Sequence, residues 1–257
     1  MRGLEGKVAV VTGGGGGIGR AICLRLAADG ARVGAFDIAA DLAEQTVAAV
    51  KDAGGEASAK VLDLADYDAV AAAVESFEDE VGPIGILVNN VGWDRAAQFV
   101  ETEPAFWDQV TAVNMRTHLN ACHVVVRRMI AREQMGGKIV NVASDAGRVG
   151  SSGEAVYSFC KGGLVAFGKT LAREVARWRI GVNSVCPGLT DTPLLHAIRD
   201  QGEKEAKLVD RITAAIPYRR LGRPVDVAGI VAFLASAEAD FITGQVISVS
   251  GGLTMHG

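Results

Sequence analysis

The stretch Lys7-Val8-Ala9-Val10-Val11-Thr12-Gly13-Gly14-Gly15-Gly16-Gly17-Ile18-Gly19 decides how the rest of the chain is read. A short apolar run ends in five consecutive glycines, and a segment with helical periodicity, Ile18–Asp29, follows. Glycines at such a turn let the main chain approach a pyrophosphate, and the N-terminus of the following helix favours its charge. A literal G-x-G-x-x-G match carries little weight, because five glycines in a row satisfy almost any glycine pattern. The place of the cluster, between strand and helix, carries the inference.

Outward from this stretch, apolar runs alternate with amphipathic segments. Further strands are expected at Arg32–Phe36, Ala57–Leu62, Ile84–Val88, Lys138–Val142, Gly181–Val185 and Val246–Val249. Helices are expected between them, including one long helix from Pro104 to about Arg132 and another over about 155–176. Strands apolar on both faces, each followed by a helix, predict an α/β protein with a seven-stranded parallel sheet covered on both sides. The whole chain, 1–257, reads as one domain. The segment at about 189–223 is rich in Leu, Arg and Glu and follows the sixth strand, the place of a substrate lid; a plain packing helix is the alternative.

Composition narrows the functions. Hydrophobic residues make up 49% and charged residues 22%, with a net charge of −4 and the signs interspersed, so no basic stripe offers itself to nucleic acid. The apolar runs are too short to span a bilayer, no signal-peptide pattern precedes the first strand, and a cytoplasmic protein is expected. Cys23, Cys122, Cys160 and Cys186 are scattered, and His118, His123, His196 and His256 lack ligand spacing, so no metal site is expected.

Several residues carry chemistry. Tyr157 and Lys161 form an i, i+4 pair on a helix face, and an ammonium beside a phenol favours the phenolate. Asp37 ends the second strand, where a carboxylate accepts hydrogen bonds from the ribose hydroxyls of NAD and repels a 2′-phosphate; it can also cap the next helix. Asp63 and Leu64 at the end of the third strand suit an adenine edge, and Asn90 and Gly92 suit the adenosine ribose; ordinary turn chemistry is the alternative for each. Trp93 suits either a pocket wall or the core. Arg148 suits a CoA phosphate or open solvent. Glu154, three residues before Tyr157, faces the mouth of the site or pairs with Arg148.

Thr12-Gly13-x-x-x-Gly17-Ile18-Gly19, Asn89-Asn90-x-Gly92, Asn114, Ser144, Tyr157-x-x-x-Lys161 and Pro187-Gly188-x-x-x-Thr192 occur in this order, and on them the chain resembles the short-chain dehydrogenase/reductase family over almost its whole length. The resemblance implies a doubly wound Rossmann fold, a nicotinamide cofactor held in part by Gly13, Gly17, Ile18 and Gly19, and a homotetramer. It implies that Tyr157 exchanges the proton with the carbonyl or alcohol oxygen, that Ser144 hydrogen-bonds that oxygen, and that Lys161 lowers the pKa of Tyr157 and holds the nicotinamide ribose. Asn114 would position a water that relays protons from Lys161. Pro187, Gly188, Thr190 and Thr192 would bind the cofactor, Thr192 and the backbone near Leu189 orienting the nicotinamide carboxamide, and Leu189 would also meet the substrate. Val91 departs from the alanine usual in the family.

The stretches Asn90–Asp94, Ser144–Glu154, Lys161–Phe167 and Gly244–Met255 look like those of family members that oxidise 2-hydroxycyclohexanecarboxyl-CoA to 2-ketocyclohexanecarboxyl-CoA with NAD. That resemblance makes a CoA thioester the expected substrate and the loop Asp145–Glu154 the seat of its selection. A 3-oxoacyl-(acyl carrier protein) or 3-hydroxyacyl-CoA enzyme, or an alcohol or sugar dehydrogenase, is the alternative. A non-catalytic NAD-sensing scaffold would need neither Ser144 nor Tyr157.

Overall fold

The computed structural model describes residues 1–132 and 136–255; His256 lies outside them. Strand β1 (Val8–Thr12) leads through the glycine turn into α1 (Gly17–Ala28), β2 (Arg32–Asp37), α2 (Ala40–Asp52), β3 (Glu56–Val61), α3 (Tyr67–Val81) and β4 (Ile84–Asn89). Then come α4 (Pro104–Thr111), α5 (Thr117–Ala131), β5 (Gly137–Val142), the short α6 (Ala146–Val149), α7 (Ala155–Glu174) and β6 (Ile180–Pro187). Helices α8 (Pro193–Arg199), α9 (Glu203–Ala215) and α10 (Pro224–Ala235) precede β7 (Val246–Val249).

The seven strands are all parallel, in the order β3-β2-β1-β4-β5-β6-β7. The alternation of β1 explains why both faces need cover. Val8 and Val10 enter one apolar cluster with Val70, Val74 and Phe77 of α3 and Val125 of α5. Ala9 and Val11 enter the other, with Ile22 and Leu26 of α1 and Val227 and Val231 of α10. Successive side chains of a strand point to opposite faces, so every residue of β1 is buried and helices must lie on both sides. Gly34 of β2 gives space to this core: a Cβ there would stand 2.7 Å from Phe77, which meets Phe36 edge to face at 5.5 Å.

Two expectations are corrected. The helix expected from Pro104 to about Arg132 is continuous in direction but not in winding, because a π-turn, Ala112–Arg116, separates α4 from α5. The segment at 189–223 is more ordered than its irregular composition suggests. It folds into α8 and α9, and its two ends are tied by a parallel bridge between Thr190 and Gly222.

Candidate active site

The strand order reverses between β1 and β4, and a crevice forms at the C-terminal ends of the strands where such a reversal occurs. Here it is a cavity of about 1010 Å³, walled by the turns after β1, β2, β3, β4, β5 and β6 and roofed by α8 and α9.

At one end stands the glycine turn. Gly13 (φ +62°) and Gly17 (φ +52°) are left-handed, and a Cβ on Gly19 would lie 1.9 Å from the Gly13 carbonyl oxygen, so no side chain fits there. Helix α1 starts with no side-chain cap, and Gly16, Gly17 and Ile18 line the cavity. Orphan N–H groups at a helix start facing a cavity suit a pyrophosphate. The Asn90 side chain donates to the Gly13 carbonyl (3.1 Å), and the Asn90 N–H donates to Thr12 Oγ1 (3.0 Å), so Asn90 braces the turn as well as bordering the cavity. Val91 packs beside Gly13, where its extra methyl groups fit.

Asp37 does not cap α2, whose N-cap is Ala39 and has no side-chain cap; it braces the loop before the helix instead. Its carboxylate accepts from the Gly15 N–H (2.9 Å) and the Ala39 N–H (3.0 Å) and remains on the cavity wall. Asp63 accepts from the Ala65 N–H (2.8 Å), and Leu64 is buried beside it; both line the cavity. Gly92, Pro187, Gly188, Leu189, Thr190 and Thr192 line it too. Thr192 caps α8, accepting from the Leu195 N–H (3.3 Å), and lies opposite Gly17.

At the other end Ser144, Tyr157 and Lys161 converge. Lys161 is 2% exposed, and its ammonium donates to the carbonyls of Val142 (3.2 Å) and Val91 (3.4 Å). Burial pushes it down to about 8. The Lys161 Nζ sits 5.5 Å from the centre of the Tyr157 ring, over its face. Burial pushes the phenol up, Glu154 and Asp94 add to this, and only the Ser144 hydrogen bond works against it. The lysine faces the ring and two carbonyls rather than the hydroxyl, so the protein by itself holds the proton on Tyr157.

Asn114 lies in the π-turn, completely buried. Its side-chain N–H groups donate to the carbonyls of Trp93 (2.6 Å) and Val110 (2.9 Å), and its oxygen accepts from the Trp93 N–H (3.2 Å). It thus fixes the loop after β4. Asn114 also faces Lys161 across Gly92, where a Cβ would stand 3.3 Å from Asn114 Oδ1 and 3.2 Å from Lys161 Nζ.

The substrate-loop expectations divide. Trp93 lines the cavity and meets Phe106 edge to face at 6.1 Å. Asp145 and Glu154 also line it. Arg148 does not reach it: the side chain turns to β7, donating to Ser248 Oγ (2.8 Å), which also bonds Asp145. Arg148 spends its hydrogen bonds on Val246 and Ser248 rather than on Glu154, which bonds Ser151 instead. Sequence reading missed Asp94, 5% exposed on the cavity wall, and the apolar roof of Leu195, Ile198, Val209 and Ile212. The one signal for Asp94 was its place directly after Trp93, in the turn that follows β4.

A parallel sheet with a glycine turn at its switch point, and a tyrosine, serine and lysine around the same cavity, define an oxidoreductase that interconverts a secondary alcohol and a ketone. The family described as Enoyl-(Acyl carrier protein) reductase matches residues 13–254. A 3-oxoacyl-(acyl-carrier-protein) reductase of Thermotoga maritima is 37% identical over 98% of this chain and 99% of its own. An acetoacetyl-CoA reductase of Shinella zoogloeoides is 40% identical over 96% and 98%. The crystal structure titled NAD+-bound xylitol dehydrogenase superposes with a TM-score of 0.91 at 31% identity, covering 97% of this chain and 99% of that one. The chain belongs to the short-chain dehydrogenase/reductase family.

Proposed function

We propose that the protein interconverts β-hydroxyacyl and β-oxoacyl thioesters with NAD(H). The observation that carries this reading is the meeting, in one cavity, of Ser144, Tyr157 and Lys161 with a glycine turn bordered by Asp37. Two relatives named for 3-oxoacyl thioester reduction, at 37% and 40% identity, support the substrate class.

The turn from Gly13 to Gly19 would hold the cofactor pyrophosphate, Asp37 the adenosine ribose and Lys161 the nicotinamide ribose. When bound, the cofactor supplies or accepts a hydride. Everything else falls to the side chains. Tyr157, kept protonated by burial, is the acid that gives its proton to a ketone oxygen. Ser144 holds that oxygen, and Asn114 keeps Trp93 and Gly92 in place beside Lys161. Asp37 selects NAD, because a 2′-phosphate beside it brings like charges together at a cost of about 4 kcal/mol for a 4 Å approach at intermediate dielectric.

Helices α8 and α9 act as the substrate cover, their segment leaving and returning at the Thr190–Gly222 bridge. Work in the cytoplasm as a homotetramer belongs to this reading. Exposed Phe159 on α7 and Leu119 on α5 offer apolar surface for assembly, and all four cysteines are free and buried. Sedimentation velocity checks the tetramer.

A cyclic acyl group, as in 2-hydroxycyclohexanecarboxyl-CoA, is the second reading, favoured by the Trp93 ring on the cavity wall. One assay separates the readings: NADH oxidation with acetoacetyl-CoA, the 2-ketocyclohexanecarboxyl thioester, free β-oxo acids and simple ketones. The thioesters should give the highest kcat/KM. Preference for simple ketones would overturn the thioester class, and equal values for the two thioesters would remove the cyclic reading.

A further inference from the structure

Two carboxyl oxygens on the substrate side of the cavity, Asp94 Oδ2 and Asp145 Oδ2, are buried without a hydrogen-bond partner, and Asp94 is the one of the two without a side-chain hydrogen bond at its other oxygen. Asp94 is 5% exposed, it lines the cavity next to Trp93, and its Oδ2 is buried and unpaired. A buried carboxyl oxygen without a partner costs stability, so its retention on a cavity wall points to a partner arriving from the cavity. Glu154 stands close enough to raise the Asp94 carboxyl, and both groups raise the Tyr157 phenol. Two carboxyl groups therefore share the cavity with the hydroxyl that meets the reacting carbonyl.

We propose that Asp94 selects the charge state of the substrate: its carboxyl donates a hydrogen bond to the carbonyl of a neutral thioester while it holds its proton, and repels a free acid once it is ionised. This rests on the thioester reading above and deepens it. In a β-oxoacyl thioester one methylene separates the two carbonyl carbons, so a group that holds the thioester oxygen must stand beside the tyrosine without replacing it. Asp94 stands there. A free β-oxo acid would bring a third carboxyl group against Asp94 and Glu154, and like charges in a shared, water-poor site cannot all ionise. Burial, with Glu154 nearby, pushes Asp94 up to about 7, so the carboxyl carries its proton over the acidic side of neutrality. The other titratable groups facing it are Tyr157 and Cys160 on α7 and its neighbour Arg95.

The test compares kcat/KM for acetoacetyl-CoA and acetoacetate in wild type and in Asp94→Asn, which keeps a donor and removes the charge. Wild type should strongly prefer the thioester, and Asp94→Asn should narrow the ratio by at least about tenfold, chiefly through better use of the acid. An unchanged ratio in a variant that still binds NADH overturns the proposal and leaves the thioester reading standing. Wild type that reduces polyol-derived ketones but no thioester overturns both.

A second measurement needs no Asp94 variant. In wild type, acetoacetate should inhibit acetoacetyl-CoA reduction more weakly as pH rises from about 6 to about 8, because the ionised Asp94 repels it. The step should persist in Glu154→Gln. A pH-independent inhibition constant, or a step that vanishes in Glu154→Gln, overturns the assignment to Asp94.

Discussion

The two ends of the cavity are built on opposite rules. At the nucleotide end, polar side chains are already committed to the main chain. Asp37 takes two backbone N–H groups, Asp63 takes one, Asn90 gives to Gly13, and Thr192 caps α8. At the substrate end the polar groups are strained by burial instead. Tyr157, Asp94 and Glu154 are all pushed up, Lys161 is pushed down, and Asp94 Oδ2 has no partner. A dinucleotide needs a fixed mould, so its groups are fastened in advance. A reacting oxygen needs groups whose protons are in play, and partial desolvation keeps them so.

Four substitutions test this division. The largest effect is expected from Tyr157→Phe, which removes the proton transferred to the reacting oxygen. Turnover should fall by about 10³-fold or more, while NADH affinity, measured by fluorescence, stays within about twofold. Retained turnover would break the assignment of the substrate end. Next is Asp37→Ser, which should shift the ratio of kcat/KM for NADH over NADPH toward NADPH by about a hundredfold, read with one saturating substrate. No change would mean that the carboxylate serves only the loop.

Gly19→Ala places a methyl group on the Gly13 carbonyl and should weaken NADH binding by about tenfold and lower Tm, whatever the acyl substrate. If it instead altered substrate preference, the two ends would not be separable. The smallest effect is expected from Trp93→Ala. It should lower kcat/KM for a cyclic thioester a few-fold more than for acetoacetyl-CoA, since only apolar contact is lost.

The contrast also explains what was legible in the sequence. The inner strands were visible because burial on both faces leaves apolar runs, as in Val8–Val11, and the half-buried edge strands β3 and β7 followed from the same β-α alternation. The glycine turn and Asp37 were visible because a mould made of backbone leaves glycines and strand-end acids at set places. The Tyr157–Lys161 spacing was visible as helical geometry. What stayed hidden depends on where side chains go once elements pack. Arg148 turns to Ser248 because Asp145, on the same turn, already holds that serine. Asp94 reads as a loop acid until α7 covers it. The π-turn at Ala112–Arg116 leaves no mark in the sequence, since nothing in Ala-Val-Asn-Met-Arg interrupts a helical pattern; only packing shows the buried Asn114 amide reaching Val110.

That turn has a mechanical consequence. Each residue advances an α-helix by about 100°, so winding one residue too many into a turn sets α4 and α5 out of phase by about that angle. Removing a residue from 112–116 would return the helix to regular winding and is expected to ease the backbone locally. It would also rotate one half against the other, carrying Asn114 away from Trp93 or the α5 stripe away from the sheet. The irregular turn thus works as an indexing notch: it lets one helix keep its apolar face on the core and its asparagine on the site at once.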